Sequence, residues 1–222
     1  MPTVFIFTLF AVSTVVTFMR KFLFSDKTID KAADKTLRKS SDARGAKQII
    51  AVGFFGIIFL IAYYYSDVKL FYYLFFLSFI EQFADTLASD IGRMTKRRTL
   101  NVLTFKPIEK GLSGGVSLLG TVSAAIGSLL LALLPLLFNA ISLKIYLFVS
   151  LFAFLGTLID SILGALLQGL YKCEKCGKLT EKPLHCENQA VLVKGFKTID
   201  NVAVNYLAGL FTCVLGCLLY LF

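Results

Sequence analysis

Histidine is almost missing: the 222 residues hold one, His185. A Ser-His-Asp or Cys-His catalytic arrangement needs an imidazole between nucleophile and acid, and none is legible around this one. Acids are also scarce, with 14 Asp and Glu against 23 Lys and Arg and a formal net charge of +9. The Walker pattern GxxxxGK[ST] does not occur, so the glycines present are not those of a P-loop. No basic segment carries interleaved aromatics, which argues against nucleic acid as a partner. The first apolar stretch lacks a positive leader and a small-residue cleavage site, so a retained span is expected there and not a signal peptide.

Apolar residues are in excess. They make up 57% of the chain, and the mean hydropathy is +0.76, well above soluble averages. Six runs are long enough, or nearly so, to cross a hydrocarbon core: Thr3–Met19, Ile49–Tyr65, Val68–Ala88, Val116–Phe138, Leu143–Leu170 and Ala203–Phe222. Backbone polar groups in lipid must be satisfied within the segment, so helices are predicted. The expectation is an all-α, polytopic helical membrane protein with about six transmembrane helices, in a single integral membrane domain over residues 1–222. Basic residues fall on alternate loops: nine in Arg20–Lys47, six in Arg93–Lys110 and six in Lys172–Lys197, which leaves Lys69 and Lys144 elsewhere. The positive-inside rule then predicts cytoplasmic loops at 20–47, 91–115 and 171–200, with both termini outside. The net charge reports this orientation and attraction to anionic headgroups.

Acids inside such runs need an explanation. Asp160 sits within Ile145–Leu170, and Glu81 and Asp85 within Val68–Ala88. A carboxylate at membrane depth is costly, so it usually faces a bundle interior, a cation or a polar substrate. Ser78, Glu81 or Gln82, Asp85 and Ser89 follow i, i+3/i+4 spacing and form one polar stripe. Gly156, Asp160, Gly164 and Gln168 recur every four residues, a close-packed face from which Asp160 and Gln168 project. The plain alternative is helix packing with one internally hydrogen-bonded Asp.

The loop Lys106–Gly120 reads KPIEKGLSGGVSLLG. Gly111, Gly114, Gly115 and Gly120 let backbone amides point into a concavity, Ser113 and Ser117 add hydroxyls, and the next span starts directly after. A helix N-terminus with free amides suits phosphate, and Lys106 and Lys110 would offset further negative charge. The alternative is a flexible turn. Asp200 precedes Asn201 and Asn205, which are one turn apart. Asp200 is either the N-cap of the last span or part of the same pocket as Asp85 and Asp160. Cys173, Cys176, His185 and Cys186 make a C-x2-C-x8-H-C cluster whose spacing suits a small zinc knuckle. Adjacent His185 and Cys186 are awkward as joint ligands, which leaves free thiols as the alternative. In a reducing compartment a stable disulfide is less expected. Cys213 and Cys217 read as apolar packing in the last span.

The segments ADTLASDIG (Ala84–Gly92), KGLSGGVSLLGT (Lys110–Thr121), GTLIDSILGALLQ (Gly156–Gln168), YKCEKCGKLTE (Tyr171–Glu181) and DNVAVN (Asp200–Asn205) occur in that order. Together they resemble the integral membrane family that includes plant phytyl-phosphate kinase of vitamin E biosynthesis and mammalian transmembrane protein 19. The resemblance spans about Lys47 to Asn205. Asp90 stands where that family usually has Glu, and the family's N-terminal part is often longer than the single span here. A more distant similarity links it to the CTP-using lipid kinases of phytol and dolichol, which share an acidic patch followed by a glycine-rich loop.

The resemblance implies a membrane-embedded, Mg-dependent phosphotransferase. It would move a phosphoryl group from a nucleoside triphosphate, CTP first among them, to an isoprenoid monophosphate and so make the diphosphate. Phosphoryl transfer needs positioning and charge neutralisation more than covalent help, and magnesium takes few carboxylates plus substrate oxygens and water. Asp85, Asp90 and Asp160 would hold Mg²⁺, with Asp200 as a fourth acid. Gly111, Ser113, Gly114, Gly115 and Ser117 would cradle nucleotide phosphates, with Lys106 and Lys110 paired to them. Arg93 or Lys194 would hold the lipid phosphate, and Gln168, Asn201 and Asn205 complete the pocket. The isoprenoid tail is expected along the Gly156–Gly164 face. An acceptor phosphate is already largely ionised near neutral pH, so no general base is required. The implied place is an integral membrane, the cell membrane in a prokaryote, with the site facing the cytoplasm. A transporter or flippase for isoprenoid phosphates or ions is the rival class, because intramembrane acids also mark cation pathways. No inverted repeat is detectable, and a scaffold would give no reason for the acids. No oligomeric state is legible.

Overall fold

A computed structural model describes residues 2–23, 46–94 and 98–221, so most of the basic loop 20–47 lies outside the described residues. Among the described residues, six helices run in chain order: α1 Pro2–Leu23, α2 Ala46–Ser66, α3 Lys69–Met94, α4 Leu118–Leu137, α5 Leu143–Leu167 and α6 Asn201–Gly216, the last continued by a 3₁₀ turn over Cys217–Leu221. Each of the six apolar runs falls on one of them. Among the described residues, three helices are long and apolar enough to cross a membrane: Leu118–Leu137, Leu143–Leu167 and Asn201–Leu219.

Side-chain caps set several boundaries. Ser117, Ser142 and Asp200 are extended N-caps whose side chains accept from Gly120 N, Ile145 N and Ala203 N respectively, satisfying amides that the first helical turn leaves free. The α2–α3 turn is made at Asp67, whose φ of 53° is left-handed, a conformation that Asp tolerates better than most residues.

Helix α3 is the hub. Residues from Leu74 to Ala84 are buried without a break, so this helix is covered on every side. It packs against α1, α2, α4, α5 and α6. Aromatic rings fill much of that contact: Phe5 of α1 stands edge-on to Phe76 at 4.9 Å, and Phe75 to Phe79 at 5.3 Å. The outer helices show the reverse pattern. Ile57, Ile61, Leu118, Val122, Leu130, Leu147, Phe211 and Val214 are exposed. A ring of outward apolar side chains around a packed, partly polar hub is what a bundle solvated by lipid presents.

The loops at one end of the bundle carry short strands, which the all-α expectation did not include; the chain is mostly helical. Strands β1 Thr99–Asn101, β2 Pro107–Ile108 and β3 Gly115–Val116 form an antiparallel sheet in the order β2-β1-β3, with Thr99 opposite Ile108 and Leu100 opposite Val116. Strands β4 Leu170–Lys172, β5 Leu179–Thr180 and β8 Val191–Lys194 form a second, in the order β5-β4-β8. Between them β6 Leu184–His185 and β7 Asn188–Gln189 make a separate hairpin. Strands of two to four residues are too short to show an alternating pattern in sequence.

Candidate functional site

Buried polar side chains along these helices are mostly satisfied locally. Ser128 donates to Ala124 O (2.8 Å), Ser150 to Tyr146 O (2.8 Å) and Thr212 to Ala208 O (2.9 Å), while Ser78 donates to Leu74 O. These i−4 bonds keep the hydroxyl inside its own helix. Glu81 differs. It is fully buried, and its Oε1 is the buried side-chain oxygen without a hydrogen-bond partner among the described residues. Its Oε2 accepts from Gln82 Nε2 at 2.8 Å, and the same nitrogen donates to Asn205 O at 3.3 Å.

Asp160 completes this cluster from α5. Asp85 and Glu81 both act on it electrostatically. The Asn205 amide nitrogen, in the orientation that satisfies both ends of the group, donates to Asp160 Oδ2 at 3.1 Å and to Asn201 O at 3.0 Å. Glu81 and Asp85 of α3 and Asp160 of α5 therefore act on one another electrostatically beside the Asn205 carboxamide of α6, with Glu81 fully buried and Asp85 and Asp160 half-buried. Sequence periodicity left open whether Glu81 or Gln82 belongs to the stripe. Glu81 is in the cluster, and Gln82 ties it to α6. Asp90 is also buried, but helical geometry carries it about 140° round and ~7.5 Å along α3 from Asp85. Asp200 is exposed and caps α6 through Ala203 N at 3.0 Å, so the cap alternative holds for it. Asn201 is exposed in the first turn of α6.

The face Gly156–Gly164 is not an open groove for a lipid tail. A side chain at Gly156 would run into Thr212 and Glu81, and one at Gly164 would meet Ser113 and Gly114. Glycine serves here to let α3, α6 and the glycine-rich loop approach α5. That loop docks on the end of α5. Gly114 has a φ of +76° and lies against the Ala165 backbone, and Ser113 Oγ donates to Gln168 Oε1 at 2.7 Å. Gln168 is ~12 Å beyond Asp160 along α5, so the same helix carries the carboxylate cluster and the loop.

Two features of the loop differ from the expected open cradle. The start of α4 is closed: Ser117 Oγ accepts from Gly120 N at 3.1 Å, and Gly120 sits against Ala88 and Gly92 of α3. Ser113 N donates to the Glu181 carboxylate, 68 residues away. Ser117→Ala should therefore lower the stability of the folded chain by about 1 kcal/mol, read as a drop in apparent Tm in detergent. An unchanged Tm would mean that the cap contributes nothing.

Beside the loop lies a pocket of about 280 Å³, lined by Glu109, Lys110, Gly111 and Leu112 on one side and by residues 178–182 and His185 on the other. Lys178 and Lys182 add to Lys110 there, and no sequence motif gives them or Glu181 a role in this pocket. The carboxylate cluster does not line it. Arg93 is exposed at the end of α3, with its Nε 4.0 Å from where a Cβ on Gly111 would be. Lys106 is exposed in the β1–β2 region and Lys194 on β8.

In the ribbon formed by β4–β8, Cys173, Cys176, His185 and Cys186 come together with all four ligand atoms within 4.8 Å of one another. The adjacency of His185 and Cys186 is no obstacle. Cys186 and Glu187 are both left-handed, with φ of 52° and 63°, and form the two-residue turn of the β6–β7 hairpin. Hydrogen bonding from the Cys176 backbone, then from His185, holds Cys173 down at about 6, while burial, then the Cys176 and Cys173 thiols, pushes Cys186 up to about 11.

The sequence profile of the family described as Integral membrane protein DUF92 matches residues 1–213. The chain belongs to this family. The resemblance drawn from the five motifs is thereby confirmed, and an integral membrane protein is established. Among curated relatives, Protein PGR of Arabidopsis thaliana is 32% identical over 142 residues, covering 59% of this chain and 48% of that protein. An uncharacterized membrane protein of Synechocystis is 35% identical over 91 residues, 41% of this chain and 35% of its own. Another, from Methanocaldococcus jannaschii, is 29% identical over 136 residues, 60% of this chain and 56% of its own. The aligned regions thus span between about a third and somewhat over half of these relatives. No solved structure matches.

Proposed function

We propose that this family member is a membrane-embedded phosphotransferase that moves a phosphoryl group from a nucleoside triphosphate, CTP by preference, to an isoprenoid monophosphate, forming the diphosphate. The observation that carries the reading is the meeting of Glu81, Asp85 and Asp160 at the hub, with one buried oxygen of Glu81 unpartnered. Three neighbouring carboxylates, one of them fully buried, call for a cation. Magnesium fits the donor set, since it takes oxygen ligands and leaves positions for water and phosphate. Asp85 and Asp160 would hold it, Glu81 would share the charge, and Asp90 would serve toward the loop end. The ion would neutralise charge developing on the transferred group.

The chain's own residues do the rest. Gln168 and Ser113 hold the glycine loop on α5, and Lys110 with Lys178 and Lys182 supplies positive charge in the adjoining pocket for the nucleotide phosphates. Arg93, beside Gly111, suits the acceptor phosphate, with Lys106 and Lys194 at the pocket's periphery. The lipid tail lies on the bundle's outer apolar surface, because the Gly156–Gly164 face is filled. No residue needs to remove a proton from an acceptor that is already ionised.

Purified protein in detergent, given γ-labelled CTP, Mg²⁺ and farnesyl or phytyl phosphate, is expected to produce labelled diphosphate that disappears with EDTA. A transporter or flippase remains the rival reading, favoured by the depth of Glu81 within the bundle. Failure of transfer together with uptake of isoprenoid phosphate into proteoliposomes would select it. The six-span arrangement belongs to the same proposal. Reporter fusions should place 20–47, 93–110 and 172–197 in the cytoplasm and both termini outside, because 21 of the 23 basic residues lie in those loops. A cytoplasmic C-terminus would break it.

A further inference from the structure

The ribbon from Leu170 to Lys194 has almost no core of its own. Tyr171 and Cys173 are buried, whereas Leu184, Val191, Leu192 and Val193 are exposed. Strands of two to four residues with so little apolar burial do not hold themselves together; units of this size usually depend on a disulfide or a metal. Yet the backbone here is specifically shaped. Gly177 is left-handed at φ +70° although a side chain would meet nothing within 4 Å, so conformation and not space requires the glycine. It closes the turn through Gly177 N to Cys173 O at 2.8 Å and Cys173 N to Lys178 O at 3.0 Å. Across from it, two successive non-glycine residues, Cys186 and Glu187, hold positive φ, an unfavourable state that persists where the surroundings over-determine it. Both turns deliver sulfur to the same point. His185 Nδ1 is 3.4 Å from Cys176 Sγ and 3.2 Å from Cys186 Sγ. With Zn–S near 2.3 Å and Zn–N near 2.0 Å, the edges of a tetrahedral site are roughly 3.5–3.8 Å.

We propose that Cys173, Cys176, His185 and Cys186 bind one zinc ion, and that this ion fixes the ribbon whose Glu181 carboxylate grips the Ser113 amide of the glycine-rich loop. On binding, the three thiols release their protons to solvent and His185 coordinates through Nδ1 as neutral imidazole. Three thiolates and Zn²⁺ leave a net charge of −1, which Lys172, Lys175, Lys178 and Lys182 on the same ribbon offset. The site is closed, with four protein ligands and no open position, so its role is structural. Its effect reaches the loop because Glu181 follows β5 directly and bonds Ser113 N.

The test uses the full chain purified in detergent under reducing conditions without chelator. Elemental analysis should find about one zinc per chain and no iron. Exchange into cobalt should give the visible d–d and thiolate charge-transfer bands of a tetrahedral sulfur-rich site, both lost in Cys176→Ser. Removing metal from the wild-type protein should speed amide hydrogen exchange at Gly111–Ser117 while leaving α3 and α5 protected. That arm needs no variant, so a misfolded mutant cannot decide the matter. Protein that carries no zinc and takes up no cobalt overturns the site, as would iron in its place or a Cys173–Cys176 disulfide found by mass spectrometry. Zinc present with loop exchange unchanged on its removal overturns the link to Ser113. None of these readouts involves phosphoryl transfer, so this inference and the proposed activity fail separately.

Discussion

Asp160→Asn is expected to reduce phosphoryl transfer by on the order of 10²–10³-fold or more, the scale seen when one preorganised electrostatic group is removed, with the bundle still folded. Asparagine keeps the size of the side chain and an oxygen that can still accept from Asn205, which donates to Asp160 Oδ2 at 3.1 Å. What disappears is one negative charge, and with it the hold on a cation. Stability should not fall, because Asp160 lies in the fields of Asp85 and Glu81, and an amide there cannot add a like charge beside them. Turnover of the variant in the labelled-CTP assay, beside its apparent Tm, separates the outcomes. Retained turnover with an unchanged Tm would mean that Asp160 is only a packed polar group. Lost turnover with a sharply lower Tm would mean that the side chain is structural.

Helix positions were legible from hydropathy because lipid forces long, continuous apolar runs. The polar stripe of α3 and the small face of α5 were legible from the 3.6-residue period. The cap at Asp200 is one of the two roles that its place before Asn201 allows, and the bond from Ala203 N decides for it. What the period does not carry is which partner each face meets. The spacing of Gly156 and Gly164 is equally consistent with a lipid groove and with tight packing, and contacts to Glu81, Thr212 and Ser113 decide for packing. Nor does it distinguish Glu81 from Gln82, since neighbours on a helix are only ~100° apart.

One long-range polar contact left no trace in the sequence. The bond between Ser113 N and Glu181 joins a glycine loop to a ribbon 68 residues later, and neither Glu181 nor the strand before it stands out in composition. Adjacent His185 and Cys186 are awkward as joint ligands in a regular strand, which sends neighbouring side chains to opposite faces. A left-handed turn removes that difficulty, and no local rule requires one at a cysteine.

Gly114→Ala should be the most destabilising single substitution in the glycine loop. Gly114 has a φ of +76°, and a Cβ there would fall 2.7 Å from the Ala165 Cα and 3.0 Å from its nitrogen. Those are backbone atoms in the last turn of α5, in a packed contact, so no rotamer change can make room. Left-handed backbone costs a residue with a side chain about 1–2 kcal/mol, and forcing atoms into a filled interface costs typically ~1–3 kcal/mol. Gly111→Ala is the matched control. Its φ is +87°, but the nearest atom to an added Cβ is Arg93 Nε at 4.0 Å, so only the conformational part applies there. Thermal unfolding in detergent should show a clearly larger fall in apparent Tm for Gly114→Ala than for Gly111→Ala. Equal shifts would mean that the loop is not seated on Ala165. The same displacement moves Ser113 off Gln168, the contact that joins the loop to the helix bearing Asp160. Any Gly114→Ala protein that survives purification should therefore need more nucleotide to reach half-maximal transfer, even at temperatures where it remains folded.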